Sequence, residues 1–91
     1  MGFISDYGAV AVAGSAVIIV AANTLRKGCI IVNNGAGTAY FGMDTNVTTS
    51  TGLPVITNGS LNMTGLQDCW RGDIWCVSAS TSDIRFWEWG P

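Results

Sequence analysis

Short runs of β-branched and aromatic residues recur along this chain, separated by clusters of glycine, asparagine, serine and threonine. Between residues 17 and 42, three such runs alternate with two turn-rich segments. Runs of this length with turn signals at regular spacing are typical of antiparallel sandwiches and barrels. The pattern predicts an all-β fold, an antiparallel β-sandwich of jelly-roll-like or immunoglobulin-like form with about seven strands. The predicted strands cover residues 16–22, 28–34, 38–43, 54–57, 60–65, 73–79 and 83–89.

The first of these runs is apolar on both of its faces. Val17 and Ile19 point to one side of the predicted strand and Ile18 and Val20 to the other, because strand side chains alternate. A sheet with one solvated face alternates apolar with polar residues. A second surface must therefore cover this strand, and it belongs either to another sheet or to another protein chain.

Two local signals shape the second half of the predicted domain. Asn58-Gly59 follows Val55-Ile56 and precedes Leu61, which predicts a hairpin with a type I′ turn and positive φ at both central residues. Pro54 is compatible with a strand only at its start or at a sheet edge.

The composition restricts the classes of partner. The chain has 91 residues, which fits one domain, and only 11% of them are charged, against about 25% in ordinary globular proteins. The net charge of −2 offers no basic surface for phosphates, so no nucleic-acid partner is expected. The apolar stretch near residues 7–22 is interrupted by Gly14-Ser15 and is shorter than the roughly 20 residues of a membrane-spanning helix. No membrane partner is expected either.

Residues 1–15 differ in character from residues 16–91, which form the predicted sandwich domain. Val10 and Val12 alternate there with alanines, and Asp6 is the only charged residue. Such a segment is too apolar for a free tail and too small-sided for a core. The alternation fits an edge strand or an arm that adds to a neighbour's sheet, and we expect an N-terminal arm that is ordered by a partner through strand addition.

The residues that most often perform catalysis or bind metals are scarce. The chain has no histidine and one glutamate, Glu88, and its aspartates are scattered. We therefore expect no enzyme activity, no cofactor and no metal site. The three cysteines, Cys29, Cys69 and Cys76, match no redox or zinc spacing, and we expect them to be reduced and structurally passive.

The tryptophans and the one basic pair supply the remaining candidates for an interface. The tryptophans fit the core or a subunit interface, or else a carbohydrate platform formed by Trp70, Trp75, Trp87 and Trp89 with Tyr40. Trp87 and Trp89 share one face of the last predicted strand. Arg26-Lys27 fits a solvated turn or a contact to an acidic neighbouring subunit. The candidate interface residues are Val10, Val12, Val17, Ile19, Arg26, Lys27, Trp87 and Trp89.

Three segments resemble small virion proteins of tailed bacteriophages, namely the β-sandwich modules of head decoration, head fibres and neck or tail components. The segments are AANTLRKGCIIVNNGAGTAYFG, TTSTGLPVITNGSLNM and GDIWCVSASTSDIRFWEW. The shared features are an Ala-Ala-Asn-x-x-Arg turn before a strand that ends in Asn, a Tyr-Phe-Gly strand, a Val-Ser-Ala-Ser strand end and a final Ile-Arg-Phe-Trp-Glu strand. The resemblance covers about residues 17–89.

The resemblance implies a non-enzymatic structural role in a virion. Such a protein would be made in the cytoplasm of a bacterial host, would form a homo-oligomer, most often a homotrimer, and would attach to capsid, neck or tail proteins. The alternative is a carbohydrate-binding β-sandwich that uses its exposed tryptophans.

Overall fold

The computed structural model describes residues 5–63 and 70–90, which form two antiparallel four-stranded sheets packed face to face. The predicted β-sandwich is confirmed, and all seven predicted strands are present with bounds that agree within two residues. The exception is the end of the strand predicted at 60–65, which lies outside the described residues. The first sheet has the order β1-β8-β3-β6, and the second has the order β2-β7-β4-β5. The strands are β1 (Ser5–Val12), β2 (Val17–Val20), β3 (Gly28–Asn33), β4 (Ala39–Gly42), β5 (Leu53–Val55), β6 (Ser60–Met63), β7 (Ile74–Ser78) and β8 (Ser82–Trp89).

The connections identify the sandwich as a jelly roll. Consecutive strands change sheet at every step except between β4 and β5, which pair with each other in the second sheet. Eight strands wound in this way between two sheets make a jelly roll, so the immunoglobulin-like alternative does not apply.

The eighth strand, β1, lies in the segment that we expected to be an arm ordered by a partner. It pairs with β8 of the same chain over eight residues, from Ser5 opposite Trp89 to Val12 opposite Ser82. Val12 is fully buried, and Val10 packs against the core. The expectation of a partner-ordered arm was wrong because small side chains are enough to form an edge strand, where the core has little space to fill.

The turn at Asn58-Gly59 also differs from the expected hairpin. The strands it joins, β5 and β6, belong to different sheets, so the turn crosses between the sheets. The N–H of Gly59 donates to the carbonyl of Ile56 at 2.8 Å, and positive φ occurs at Asn58 (φ 66°) but not at Gly59. Asn58 therefore occupies the third position of the turn, where a type II turn requires positive φ.

The packing of the core shows which surface covers the strand at residues 17–20, whose side chains are apolar on both faces. Ile19 and Val20 are both buried although they are consecutive, because a register shift between Ile18 and Val20 turns both toward the other sheet. The surface that covers β2 is thus the first sheet of the same chain, and Ile18 is left exposed on the outside. The buried core residues are Val12, Ile19, Val20, Cys29, Ile31, Ala39, Phe41, Val55, Ile74, Cys76 and Ile84. Within the described residues, no helix is long and apolar enough to cross a membrane.

Candidate functional site

The outer surface of the first sheet carries a row of exposed apolar side chains. Trp87 lies at its centre, 55% exposed, with Tyr7 opposite it on β1 and Ile30 opposite it on β3. Tyr7 is 79% exposed. We call this surface the aromatic face and define it by Tyr7, Ile30, Val32, Trp87 and Trp89.

The alternation of β8 explains why these aromatic side chains point outward. Ser82, Ile84 and Glu88 are buried on the inner side, whereas Trp87 and Trp89 lie on the outer side. The two tryptophan rings meet edge to face, with centroids 6.1 Å apart and planes at 68°.

Gly28 on β3 provides the space in which the Trp89 ring lies. A Cβ atom at Gly28 would come within 2.3 Å of the Trp89 ring, so only glycine allows the ring to rest on this backbone. Trp89 is held in place on the sheet by this contact, while the ring of Trp87 remains accessible.

One end of the aromatic face carries an exposed ion pair. Arg85 donates to Asp83 from Nη2 at 2.8 Å and from Nε at 3.0 Å, and Asp83 also accepts from Nδ2 of Asn34 at 3.2 Å. These hydrogen bonds, with that from Arg85 the stronger influence, lower the pKa of Asp83, and Asp83 raises the pKa of Arg85. The pair neutralises the charges beside the apolar surface, and as an exposed pair it contributes little stability.

The structure changes the set of residues available to a partner. Val12 and Ile19 lie in the core, and Val10 and Val17 pack against it, so these candidates contact their own chain. Arg26 is buried inside its own chain as well. Lys27, Trp87 and Trp89 are the candidates that remain at the surface, the last of them half-buried.

Arg26 is fully buried and forms an ion pair inside its own chain, so it neither contacts a neighbouring subunit nor lies in a solvated turn. Its Nε donates to Glu88 at 2.8 Å, and its Nη atoms donate to the carbonyls of Ala21, Trp70 and Gly72. A buried guanidinium needs both a counter-charge and acceptors for its remaining donors. Arg26 lies in the β2–β3 loop. Its hydrogen bonds thus link this loop to the segment that precedes β7 and to the end of β8, at one end of the sandwich.

A second polar cluster closes the opposite end of the sandwich, and no sequence motif predicted it. Asn33 is fully buried, and its Nδ2 donates to the carbonyls of Gly37 at 2.8 Å and Val55 at 2.9 Å. The hydroxyls of Ser78 and Ser82 lie 3.1 Å apart, and Ser82 also donates to Gly37. The only sequence signal for this cluster is Asn33 itself, an asparagine at the end of an apolar strand, where the backbone has to turn.

The two described cysteines face the core from opposite sheets. Cys29 on β3 and Cys76 on β7 are both fully buried. Burial raises the pKa of Cys76 to about 12. The prediction about Cys69 lies outside the described residues.

We expect neither of these two thiols to react with a thiol-specific reagent in the folded protein, because the thiolate is the nucleophile and both sulfurs are inaccessible. In a Cys69→Ser variant, Ellman's reagent should detect no thiol in buffer and both in denaturant. Because the pKa of Cys76 is raised, its neutral form is favoured in the fold, and stability should fall as pH rises from 9.0 toward about 12. Stoichiometric reaction of the native variant with Ellman's reagent at pH 8 would contradict the expected inaccessibility of the two thiols.

An apolar groove of about 420 Å³ opens between the two sheets on the side where β5 and β6 form their edges. Its volume is in the range of small-molecule sites, but such sites also carry a few placed polar groups that orient the ligand. Thr51 is the one polar side chain in its described lining, which consists of Phe41, Gly42, Met43, Thr51, Leu53, Leu61, Met63, Trp70 and Ile74. We therefore place the candidate site on the aromatic face. Among the described residues, no group of three or more His, Cys, Asp or Glu side chains is arranged to hold a metal ion.

Comparison with known proteins supports the fold. No protein-family model and no curated protein matches the sequence. Among solved structures, the chain is similar to a protein of Bacillus endospore appendages, which are described as a novel family of disulfide-linked pili. The two share 16% sequence identity with a TM-score of 0.50, over 97% of this chain and 87% of the other. At this identity the similarity shows the fold alone.

Proposed function

We propose that this chain is a non-enzymatic structural subunit that self-associates and attaches to the surface of a larger protein assembly. The observation that carries the proposal is the aromatic face, where Trp87 and Tyr7 are exposed side by side in a charge-poor sheet. Tryptophan and tyrosine dominate the binding energy of protein interfaces. A contiguous apolar patch of this kind marks an interaction surface.

The setting we propose is a virion of a tailed bacteriophage, on the strength of the resemblance in the turn and strand-end motifs. A jelly roll is compatible with this setting because viral capsid proteins use the fold, although lectins use it as well. The appendage protein is described as part of a pilus, another repetitive assembly. Cys29 and Cys76 are buried, so the contacts that we propose through the described residues are non-covalent.

A carbohydrate-binding role is the second candidate, and the exposure of Trp87 favours it. Two features of the aromatic face weigh against it. Trp87 and Trp89 stand at 68° to each other and do not form a flat stacking platform. The nearest charged groups, Asp83 and Arg85, are paired with each other instead of being free to bind sugar hydroxyls.

The test uses Trp87→Ser, with Ile18→Ser as the matched control on the outer surface of the second sheet, where Ile18 is also exposed. Particles are sedimented from cells that carry the gene in its native setting, and the chain is quantified in the pellet. We expect the wild-type chain and Ile18→Ser to sediment with particles and Trp87→Ser to stay in the supernatant. Cross-linking through Lys27, the only lysine, then identifies the protein to which the chain attaches.

Two outcomes would overturn the proposal. One is a wild-type chain that never co-sediments with particles. The other is Trp87-dependent binding to a polysaccharide in the absence of other proteins, which would establish the carbohydrate role instead.

A further inference from the structure

Within residues 5–63 and 70–90 the two sheets have four edge strands, which differ in how well they are protected. A sheet edge presents unpaired N–H and C=O groups, and natural proteins block such edges with short strands, proline or bulges. β5 has three residues including Pro54, β6 is described over four residues, and β2 has four residues and a register shift. Over its eight residues, β1 pairs with β8 in unbroken register, contains no proline and carries one charge, Asp6.

The free edge of β1 is formed by the backbone groups of Tyr7, Ala9 and Ala11. The N–H of Tyr7 donates to the carboxylate of Asp6 at 2.9 Å and so is turned away from β8. Backbone directions alternate along an antiparallel strand, so Ala9 and Ala11 also point their N–H and C=O groups to the free edge. The structure on the other side of β8 agrees. The carbonyls of Asp83 and Trp89 face β3. By the same alternation the backbone groups of Ile84, Phe86 and Glu88 face β1, where they lie opposite Val10, Gly8 and Asp6.

We propose that two copies of this chain pair through β1, antiparallel about a two-fold axis, and join their first sheets into one eight-stranded sheet. This inference rests on the self-association included in the proposed function and names its partner. An axis at Ala9 places Ala9 opposite its own copy and Tyr7 opposite Ala11 of the second copy. About six backbone hydrogen bonds then form across the edge, two for each facing pair.

The side chains of β1 fit a second copy of itself. Ala9 and Ala11 are small and lie on the same side as Tyr7, so the exposed Tyr7 ring gains a place beside Ala11 of the second copy. The two Asp6 carboxylates lie about 20 Å apart along the strands, beyond the range at which like charges repel strongly. The two aromatic faces also become one continuous surface, which doubles the area that attaches to the larger assembly.

The test is Ala9→Pro, compared with Ala9→Ser. Proline removes the N–H that points to the free edge and leaves the pairing with β8, as proline at edge strands does in natural sheets. Sedimentation at micromolar concentration should give the mass of two chains for the wild type and Ala9→Ser, and of one chain for Ala9→Pro with an unchanged circular dichroism spectrum. A two-chain mass for Ala9→Pro would overturn the pairing.

A wild-type mass of one or three chains would also overturn the two-fold pairing, whereas Trp87-dependent attachment to particles tests the proposed function separately. Amide hydrogen exchange of the wild type gives a second readout that does not depend on a variant. Exchange at Ala9 and Ala11 should slow by about tenfold or more as concentration rises, while Gly8 and Val10, which face β8, stay protected throughout. Concentration-independent exchange at Ala9 and Ala11 would contradict the inference.

Discussion

Replacing Arg26 with alanine is expected to lower the free energy of unfolding by about 3–5 kcal/mol, a large part of the total stability of a small domain. Without the guanidinium, the Glu88 carboxylate is buried without its counter-charge, and the carbonyls of Ala21 and Trp70 lose their donor. The loss comes from stranding these groups in the interior, because a well-formed buried ion pair itself adds little net stability. Urea denaturation followed by tryptophan fluorescence measures the change.

Lys27→Ala is the matched control, because Lys27 is the exposed neighbour of Arg26 and carries the same charge. We expect a change within about 0.5 kcal/mol for this variant, as for most surface substitutions. The double variant Arg26→Met with Glu88→Leu should recover part of the loss, since it removes both charges together. A loss below about 1 kcal/mol for Arg26→Ala would show that the ion pair does not hold this end of the sandwich together.

Asn33→Asp is expected to destabilise the fold by at least about 3 kcal/mol at neutral pH. The amide Nδ2 of Asn33 donates to the carbonyls of Gly37 and Val55, and a carboxylate of the same shape would place a negative oxygen against both. Because one change breaks two buried hydrogen bonds and adds a buried charge, the melting temperature should fall by about 12 °C or more.

The control for this variant is Asn62→Asp, which makes the same chemical change at an exposed position on the outer side of β6. Asn62→Asp should change the free energy of unfolding only slightly. The loss in Asn33→Asp should shrink near pH 3, where the introduced carboxyl is largely protonated and regains one hydrogen-bond donor. Equal stability of the two variants at pH 7 would refute the role assigned to Asn33.

The residues that carry the resemblance to phage virion modules include these same buried polar groups. The Ala-Ala-Asn-x-x-Arg motif ends at Arg26, the following strand ends at Asn33, and the last strand supplies Glu88. Ser78 belongs to the Val-Ser-Ala-Ser motif and is buried in the second cluster. In this chain these buried residues close the two ends of the jelly roll. Trp87, at the centre of the aromatic face, belongs to the Ile-Arg-Phe-Trp-Glu motif.

The spacing of apolar runs and turns determined the fold class and seven of the eight strands. That information is local, because strand side chains alternate and turn residues act within a few positions of the chain. The same alternation placed Trp87 and Trp89 on one face of the last strand, and the structure places both on the outer side of β8.

Only the tertiary structure decided which apolar and charged residues face inward. Val12 and Ile19 were interface candidates because a sequence does not state which chain covers a strand. Here the opposite sheet of the same chain covers each of them. Arg26 and Glu88 are 62 positions apart, and their pairing depends on the β2–β3 loop closing over the end of β8. The free edge of β1 likewise exists only once β8 has taken the other side of the strand, because edge and centre are properties of the assembled sheet.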